Sequence, residues 1–465
     1  MNNIKGGKKF FKKRLIIGGV FLSLIFVAGY YLMTVDKKDV ILSSISAFEK
    51  IFRLLPVEKD TKDEVAAINN LAAEFIKKDD IEKRFLILLQ NNMELRPGGG
   101  FLGQYAILKI KNGEVISTVV EDANLLDQRI TTKVVPPYPF TRMMSIKKWK
   151  FRDSNFSPDF PTNTEKAKYF YRLSGGNSNF DGVIAVNSDV FANVLKLTGP
   201  ITVPGYATEF TSENAVLKLE EVVEKAYIEN PNIDTTNRKA IMKIMANVII
   251  EKLAHINNIP KISEFVLEEL RNKNVMFNFN DAQLQASIEK VHWDGKVAQD
   301  WNDDYLMMVD ANMGALKSDY FIDRSVSYNI DLTTEKPTVE LKILYKHNAT
   351  YGDWRTSDYH SYLRVYVPKG STLIDRKMVS YPLIDEDFGK TYFGFICHVL
   401  INGQTEAYIK YELPSEFKEK EYRLLIQKQS GVGDVPIKVH MKNSKGEFDY
   451  EGILKKDLNL EFSEN

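Results

Sequence analysis

The chain has 465 residues, too many for one ordinary core, so two or three domains are expected. Its 44% hydrophobic and 27% charged content is that of a globular protein and excludes wholesale disorder. The net charge of +0 hides a split: residues 1–14 carry six basic residues and no acid, leaving 56 basic against 62 acidic residues in the remainder. An acidic remainder argues against nucleic acid as a partner, because phosphate contacts supply most of such affinity.

The first element is "LIIGGVFLSLIFVAGYYLM", residues 15–33, nineteen residues without a charge. At roughly 1.5 Å per residue it nearly spans the ~30 Å hydrocarbon core of a bilayer. Lys5, Lys8, Lys9, Lys12, Lys13 and Arg14 precede it, while only Lys37 and Lys38 follow closely. That asymmetry predicts a single-pass membrane anchor with residues 1–14 cytoplasmic and everything from about Thr34 outside. A cleaved signal peptide is the alternative, although such a segment would be shorter and end in small residues rather than Tyr30, Tyr31, Leu32 and Met33. The only cysteine, Cys397, allows no intrachain disulfide and no CxxC-type metal site. An exported domain built this way must rely on core packing, which suits a bacterial or archaeal surface.

Residues 34–84 read as a helical stalk packed on the first domain, since "DEVAAINNLAAEFIKKDDIEK" places apolar residues at helical spacing. The pattern then changes. "FLILLQ" is a continuous apolar run, "FLGQYAILKI" partly alternates, and "EVISTVV" follows Asn112-Gly113, a hairpin signal. Beyond an irregular stretch ending in "FRDSNFSPDFP" come a helix over 162–173, the strand "FDGVIAVN", the helix "SDVFANVLKLTG" and two longer helices, over 211–226 and 237–256. Strands interleaved with helices predict an α/β or α+β domain over 85–318. From 319 to 450 short alternating segments separated by Gly, Pro and Asn predict an antiparallel β-sandwich. Residues 451–465 read as a polar tail.

Two stretches carry candidate chemistry. In "ELRPGGGFLGQ" the backbone of Gly98, Gly99 and Gly100, with Arg96, could form an anion-binding nest. The glycines could equally serve a tight strand connection, and a Walker A loop is excluded because no Gly-Lys-Ser/Thr follows. In "RDSNFSPDFP", Asp153, Asn155 and Asp159 are oxygen ligands at short spacing for a hard cation such as Mg²⁺, or else Asx residues capping turns. Arg238, at the start of an amphipathic helix, is either a solvated charge or a ligand group. Six scattered histidines show no HExxH spacing, and no GxSxG elbow occurs.

The stretches "LLQNNMELRPGGGFLGQYAILKIKNGEV", "RDSNFSPDFP", "FDGVIAVNSDVFANVLKLTGPITVPG", "DTTNRKAIMKIMANVIIEKL", "DYLMMVDANMGALKSDYFIDRS" and "YLRVYVPKGSTL" resemble the domain-of-unknown-function 4012 family of bacterial and archaeal membrane-anchored proteins. More distantly, the strand order and "FDGVIAVNSDVFANVLKLTGPITVP" resemble the LytR-CpsA-Psr family, membrane-anchored transferases that move glycopolymers from a polyprenyl pyrophosphate carrier. That resemblance implies a phosphotransferase-like activity with Arg96 and Arg238 gripping pyrophosphate; an enzyme of this kind would bring Arg96, Asp153 and Arg238 into one cleft, with Asp153 and Arg238 catalytic. One departure reverses local charge: where that family has Arg-Asp after its third strand, this chain has Glu121-Asp122. The expectation is therefore a cell-envelope protein acting on or with a lipid-linked anionic glycan. The alternative is a non-catalytic surface-binding, adhesion or structural protein.

Overall fold

Val65, Ile68, Leu71, Ala72 and Ile76 recur at helical spacing and form the buried stripe of α1 (Lys59–Ile76). Each fully buried Leu or Ile contributes about 2 kcal/mol, so this stripe fastens the helix to the domain rather than letting it project. The helix ends where four consecutive charges, Lys77 to Asp80, offer nothing to bury. The computed structural model describes residues 58–222, 240–254, 259–418 and 422–462. The expected tail 1–14, the apolar segment 15–33, residues 34–57 of the stalk and Arg238 lie outside the described residues. Among those described, no helix is long and apolar enough to cross a membrane.

Strand β1 (Lys83–Arg96) pairs antiparallel with β2 (Gly99–Lys111), which pairs with β3 (Glu114–Asp122). The β2–β3 turn is the expected Asn-Gly hairpin, with φ of 54° at Asn112 and 67° at Gly113. After α2 (Ala123–Arg129), α3 (Tyr138–Met144) and α4 (Phe160–Leu173), strand β4 (Gly182–Asn187) runs parallel to β1. Helix α5 (Asp189–Thr198), the two-residue strands β5 (Ile201–Thr202) and β6 (Glu209–Phe210), α6 (Ala215–Glu220) and α7 (Ala240–Ala254) surround a satellite apolar cluster. Then α8 (Ile259–Arg271), β7 (Val275–Phe279) and α9 (Ala282–Glu289) complete a mixed five-stranded sheet of order β3-β2-β1-β4-β7.

Alternation along the strands sends side chains to two faces. Phe85, Ile184 and Phe277 pack with α1, α8 and α9, whereas Leu86, Leu88, Val183 and Met276 pack with residues of α2 and α4. The result is three layers, helices on both sides of one mixed sheet.

Eleven further strands follow: β8 (Asp304–Asn312), β9 (Ile322–Asp331), β10 (Thr338–His347), β11 (Tyr359–Pro368), β12 (Thr372–Lys377) and β13 (Ser380–Asp387), then β14 (Lys390–Val399), β15 (Gln404–Glu412), β16 (Arg423–Ile426), β17 (Val435–Asn443) and β18 (Gly446–Leu454). A last one, β19 (Leu458–Glu461), pairs with β16. They form two six-stranded sheets, β12-β15-β10-β9-β17-β18 and β13-β14-β11-β8-β16-β19, around a shared apolar cluster.

Three expectations are corrected here. The pairing is not purely antiparallel, because β16 runs parallel to β8 and β17 parallel to β9, so both sheets are mixed. The sheets begin at Asp304 rather than 319, since "DYLMMVDAN" is buried at nearly every position and carries no alternation to mark it. The expected polar tail 451–465 is not free over its described residues, 451–462. Leu458, Leu460 and Phe462 pack partly buried on the shared core.

Candidate functional site

The hairpin tip joining β1 to β2 is driven into the seam between the three-layer body and the paired sheets. Asn92 Nδ2 donates to the Gly431 carbonyl at 3.1 Å, Leu95 N–H to Asp319 at 3.0 Å, and Gln429 Nε2 to the Arg96 carbonyl at 3.1 Å. The three glycines are there for close approach. A Cβ on Gly98 would lie 2.3 Å from Asn163 Nδ2, and one on Gly100 would lie 2.3 Å from the Asn91 backbone carbon. Gly99 also needs its φ of 133°. From the opposite side, a Cβ on Gly431 would lie 2.2 Å from the Gly99 carbonyl oxygen.

This corrects the nest reading of Arg96, Gly98, Gly99 and Gly100. Gly98 N–H donates to the Asn155 carbonyl at 3.0 Å, Gly99 and Gly100 lie in the β1–β2 pairing, and all three are buried. Neighbours fill the space an anion would need.

Arg96 and Asp153 meet each other in a buried ion pair, and Arg238, the third residue expected in their cleft, lies outside the described residues. Arg96 is 1% exposed; its Nε donates to Asp153 Oδ1 at 2.9 Å, one terminal nitrogen to Glu94 Oε1 at 2.9 Å, and the other to the Asn312 carbonyl at 2.9 Å. Burial alone would lower the guanidinium pKa, yet Asp153 and Glu94 raise it, so the charge stays. Burial pushes the Glu94 carboxyl above its ordinary value against the pull of Arg96. The 3₁₀ turn Phe151–Asp153 sets Asp153 in place, with Trp149 Nε1 donating to its carbonyl at 2.8 Å.

Asp159 is a helix cap. Its Oδ2 accepts from Thr162 N–H at 3.0 Å and from the Thr162 hydroxyl at 2.7 Å, and its Oδ1 accepts from Val297 N–H at 3.1 Å. Asn155 Nδ2 donates to Gln90 and to the Gly100 carbonyl, each at 2.6 Å. The Asp153 and Asp159 carboxylates therefore face different partners, while Asn155 is held through its amide nitrogen and its Oδ1 is buried with no hydrogen-bond partner. Among the described residues no group of three or more His, Cys, Asp or Glu is arranged to hold a metal ion. The Asp153–Asp159 metal expectation is corrected accordingly.

At the charge-reversed position, Glu121 accepts from the Tyr105 hydroxyl and from Arg129 at 3.0 Å, while Asp122 caps α2 through Asn124 N–H at 2.8 Å. An arginine from the next helix thus compensates the carboxylate that stands there. Cys397 is buried in the paired sheets, and burial pushes its thiol up to about 12, which leaves no thiolate for nucleophilic chemistry.

Two hollows remain. In the seam lies a polar cleft of about 580 Å³, lined by Asn92, Asp189, Asp319, Arg324, Lys346 and Asp434 among others. Arg324 is taken up by Asp310 at 2.9 Å and Asp319 at 2.7 Å. The second, about 390 Å³, lies between α1, α8 and the sheet and is almost wholly apolar, with Leu71, Phe75, Leu108, Val190, Phe265 and Phe277 in its wall. Its one charged lining residue, Glu269, accepts from Asn193 and Asn274 at 2.8 Å each, and burial pushes its carboxyl upward. Sequence reasoning missed this cavity because its wall comes from segments spread between 68 and 277. The one local signal was an apolar stripe on α1 wider than a solvent-facing stalk needs.

Residues 80–224 match the family described as "Protein of unknown function (DUF4012)", the family that the stretches from residue 85 onward resemble. A search of curated proteins gives no match. Among solved structures the chain is similar to Lin1025 from Listeria innocua, with 16% identity, 45% of this chain and 78% of that one covered, and a TM-score of 0.26. It is similar to the putative transcriptional factor Lmo1026 from Listeria monocytogenes, with 14% identity, 45% and 78% covered, and a TM-score of 0.24. It is also similar to TagV from B. subtilis, with 14% identity, 47% and 82% covered, and a TM-score of 0.26. Alignments this loose leave the chemistry to be read from the residues themselves.

Proposed function

We propose that this is a membrane-anchored, extracytoplasmic protein of the cell envelope that binds the hydrocarbon chain of a lipid-linked anionic glycan in the cavity between α1, α8 and the sheet. The carrying observation is that cavity: about 390 Å³, apolar on nearly every side, walled by α1, α8 and the sheet. Its size falls in the range of small-molecule sites. The charge-asymmetric apolar segment 15–33 supports an anchor beside a bilayer, where such lipids reside. Arg96 and Asp153 belong to the scaffold in this reading and take no part in pyrophosphate recognition or Mg²⁺ binding. The function is then holding or presenting the lipid rather than transferring its headgroup at Arg96.

The test is equilibrium binding of a fluorescent polyprenyl phosphate to the full chain and to Val190→Trp, which fills the cavity from α5. Binding by the native chain and at least about tenfold weaker binding by the variant are expected. A native chain that binds no polyprenyl phosphate, or a variant that binds it equally well with an unchanged melting temperature, would overturn the reading.

A further inference from the structure

His360 and His398 stand directly opposite each other on β11 and β14. Their neighbours in sequence, Tyr359, Ser361, Cys397 and Val399, are fully buried, so the two imidazoles share the other face of the sheet. There His360 is half-buried and His398 exposed. The rings stand edge to face at 85° with centroids 4.6 Å apart, and the two Nδ1 atoms face each other at 2.6 Å. Two imidazole nitrogens can share one proton only if one ring presents a bare lone pair. In the absence of an ion that shared proton is what turns both Nδ1 atoms inward. Asp358, the nearest carboxylate to act on His360, has Oδ1 held by Ile401 N–H at 3.0 Å.

We infer that this cross-strand pair is a two-histidine site for a divalent transition-metal ion of the zinc, nickel or copper class. Neutral imidazole suits these ions. Nitrogens bound to one tetrahedral zinc at roughly 2.0–2.1 Å lie about 3.3 Å apart. On binding, the two Nδ1 atoms would part from 2.6 Å to that separation, with the exposed His398 ring turning outward. The perpendicular rings let both lone pairs point at one centre without stacking clashes. With two protein nitrogens, the remaining positions go to water or to a donor group brought by a ligand. The ion would therefore be open for exchange, unlike a closed structural zinc. His440, on the other sheet, is paired with Asp449 at 2.9 Å and serves as the internal control.

The experiment is calorimetric titration of the tag-free full chain with zinc chloride, beside His398→Ala, His360→Ala and His440→Ala. One ion per chain is expected for the native protein and the His440 variant, and none for the other two. Copper loaded onto the native chain should give an electron paramagnetic resonance spectrum with hyperfine structure from two nitrogens, a readout independent of whether His360→Ala folds. Absence of ion binding by the native chain overturns the inference. So does unchanged binding in His398→Ala, or a copper spectrum lacking nitrogen coupling.

Discussion

Two buried carboxylates, Asp153 in the three-layer body and Asp304 in the paired sheets, have opposite companions. Asp153 meets a guanidinium, Arg96, which also serves Glu94, so ionic charge is met by ionic charge. Asp304, 0% exposed, meets only neutral donors: the Tyr328 hydroxyl at 2.5 Å, the Tyr422 hydroxyl, and Tyr305 N–H at 2.8 Å. Burial pushes its pKa up to about 6, and the tyrosines that hold it only partly resist. The difference teaches how each region tolerates acid in its interior. The seam answers its carboxylate with one arginine, whereas the sheet core surrounds its own with neutral donors and keeps it poised to take a proton.

The sharpest way to break that comparison is Arg96→Met. It strands Asp153 and Glu94 in a buried seam, where an unpaired charge costs about 3–5 kcal/mol. Chemical denaturation at neutral pH should register a loss of that order, partly recovered as acid neutralises the orphaned carboxyls. A loss under about 1 kcal/mol would mean the seam is wetter than the 1% exposure of Arg96 implies.

Next in size is Asp304→Asn. The folded pKa is raised from 3.8 to about 6, so the protonated carboxyl is the one the fold prefers. Its stabilisation is complete below the unfolded value and lost as pH rises through about 6, a difference of about 3 kcal/mol. The stability of the native chain relative to Asp304→Asn should therefore fall by that order between pH 4 and pH 7. A pH-independent difference would erase the contrast with Asp153.

The smallest effect is expected from Gly100→Ala, which forces the hairpin tip against the Asn91 backbone at 2.3 Å. Overpacking of this kind costs about 1–3 kcal/mol. Because the strain falls on the tip that carries Arg96, a double variant with Arg96→Met should cost less than the two single losses added. Simple additivity would show that the glycine turn and the ion pair are independent.

Much of the architecture was legible from local pattern. The Asn112-Gly113 hairpin, helix α4 and strands β9, β10, β11, β14 and β15 follow from turn chemistry and alternation, forces that act between near neighbours. On β11 and β14, Tyr359, Phe393 and Phe395 are fully buried in the core, while His360 and His398 lie on the other face. Alternation marks two faces of a strand without saying which one meets another sheet. Strand β8 escaped notice because a strand buried on both faces has no alternation to read.

By itself the sequence determined the segment 15–33 as an anchor candidate, the change from helices to strands, and that three glycines and Arg96 marked one place, either an anion-binding nest or a tight strand connection. Only the tertiary structure decided what that place was. Whether a guanidinium grips a phosphate or a carboxylate depends on what arrives from elsewhere in the chain. Here Asp153, Asn312 and Gln429 arrive, 57, 216 and 333 positions away, and occupy the seam themselves. The apolar cavity and the His360–His398 pair have the same origin. Each is made by residues distant in sequence, brought together by the burial of side chains that carry no chemistry of their own.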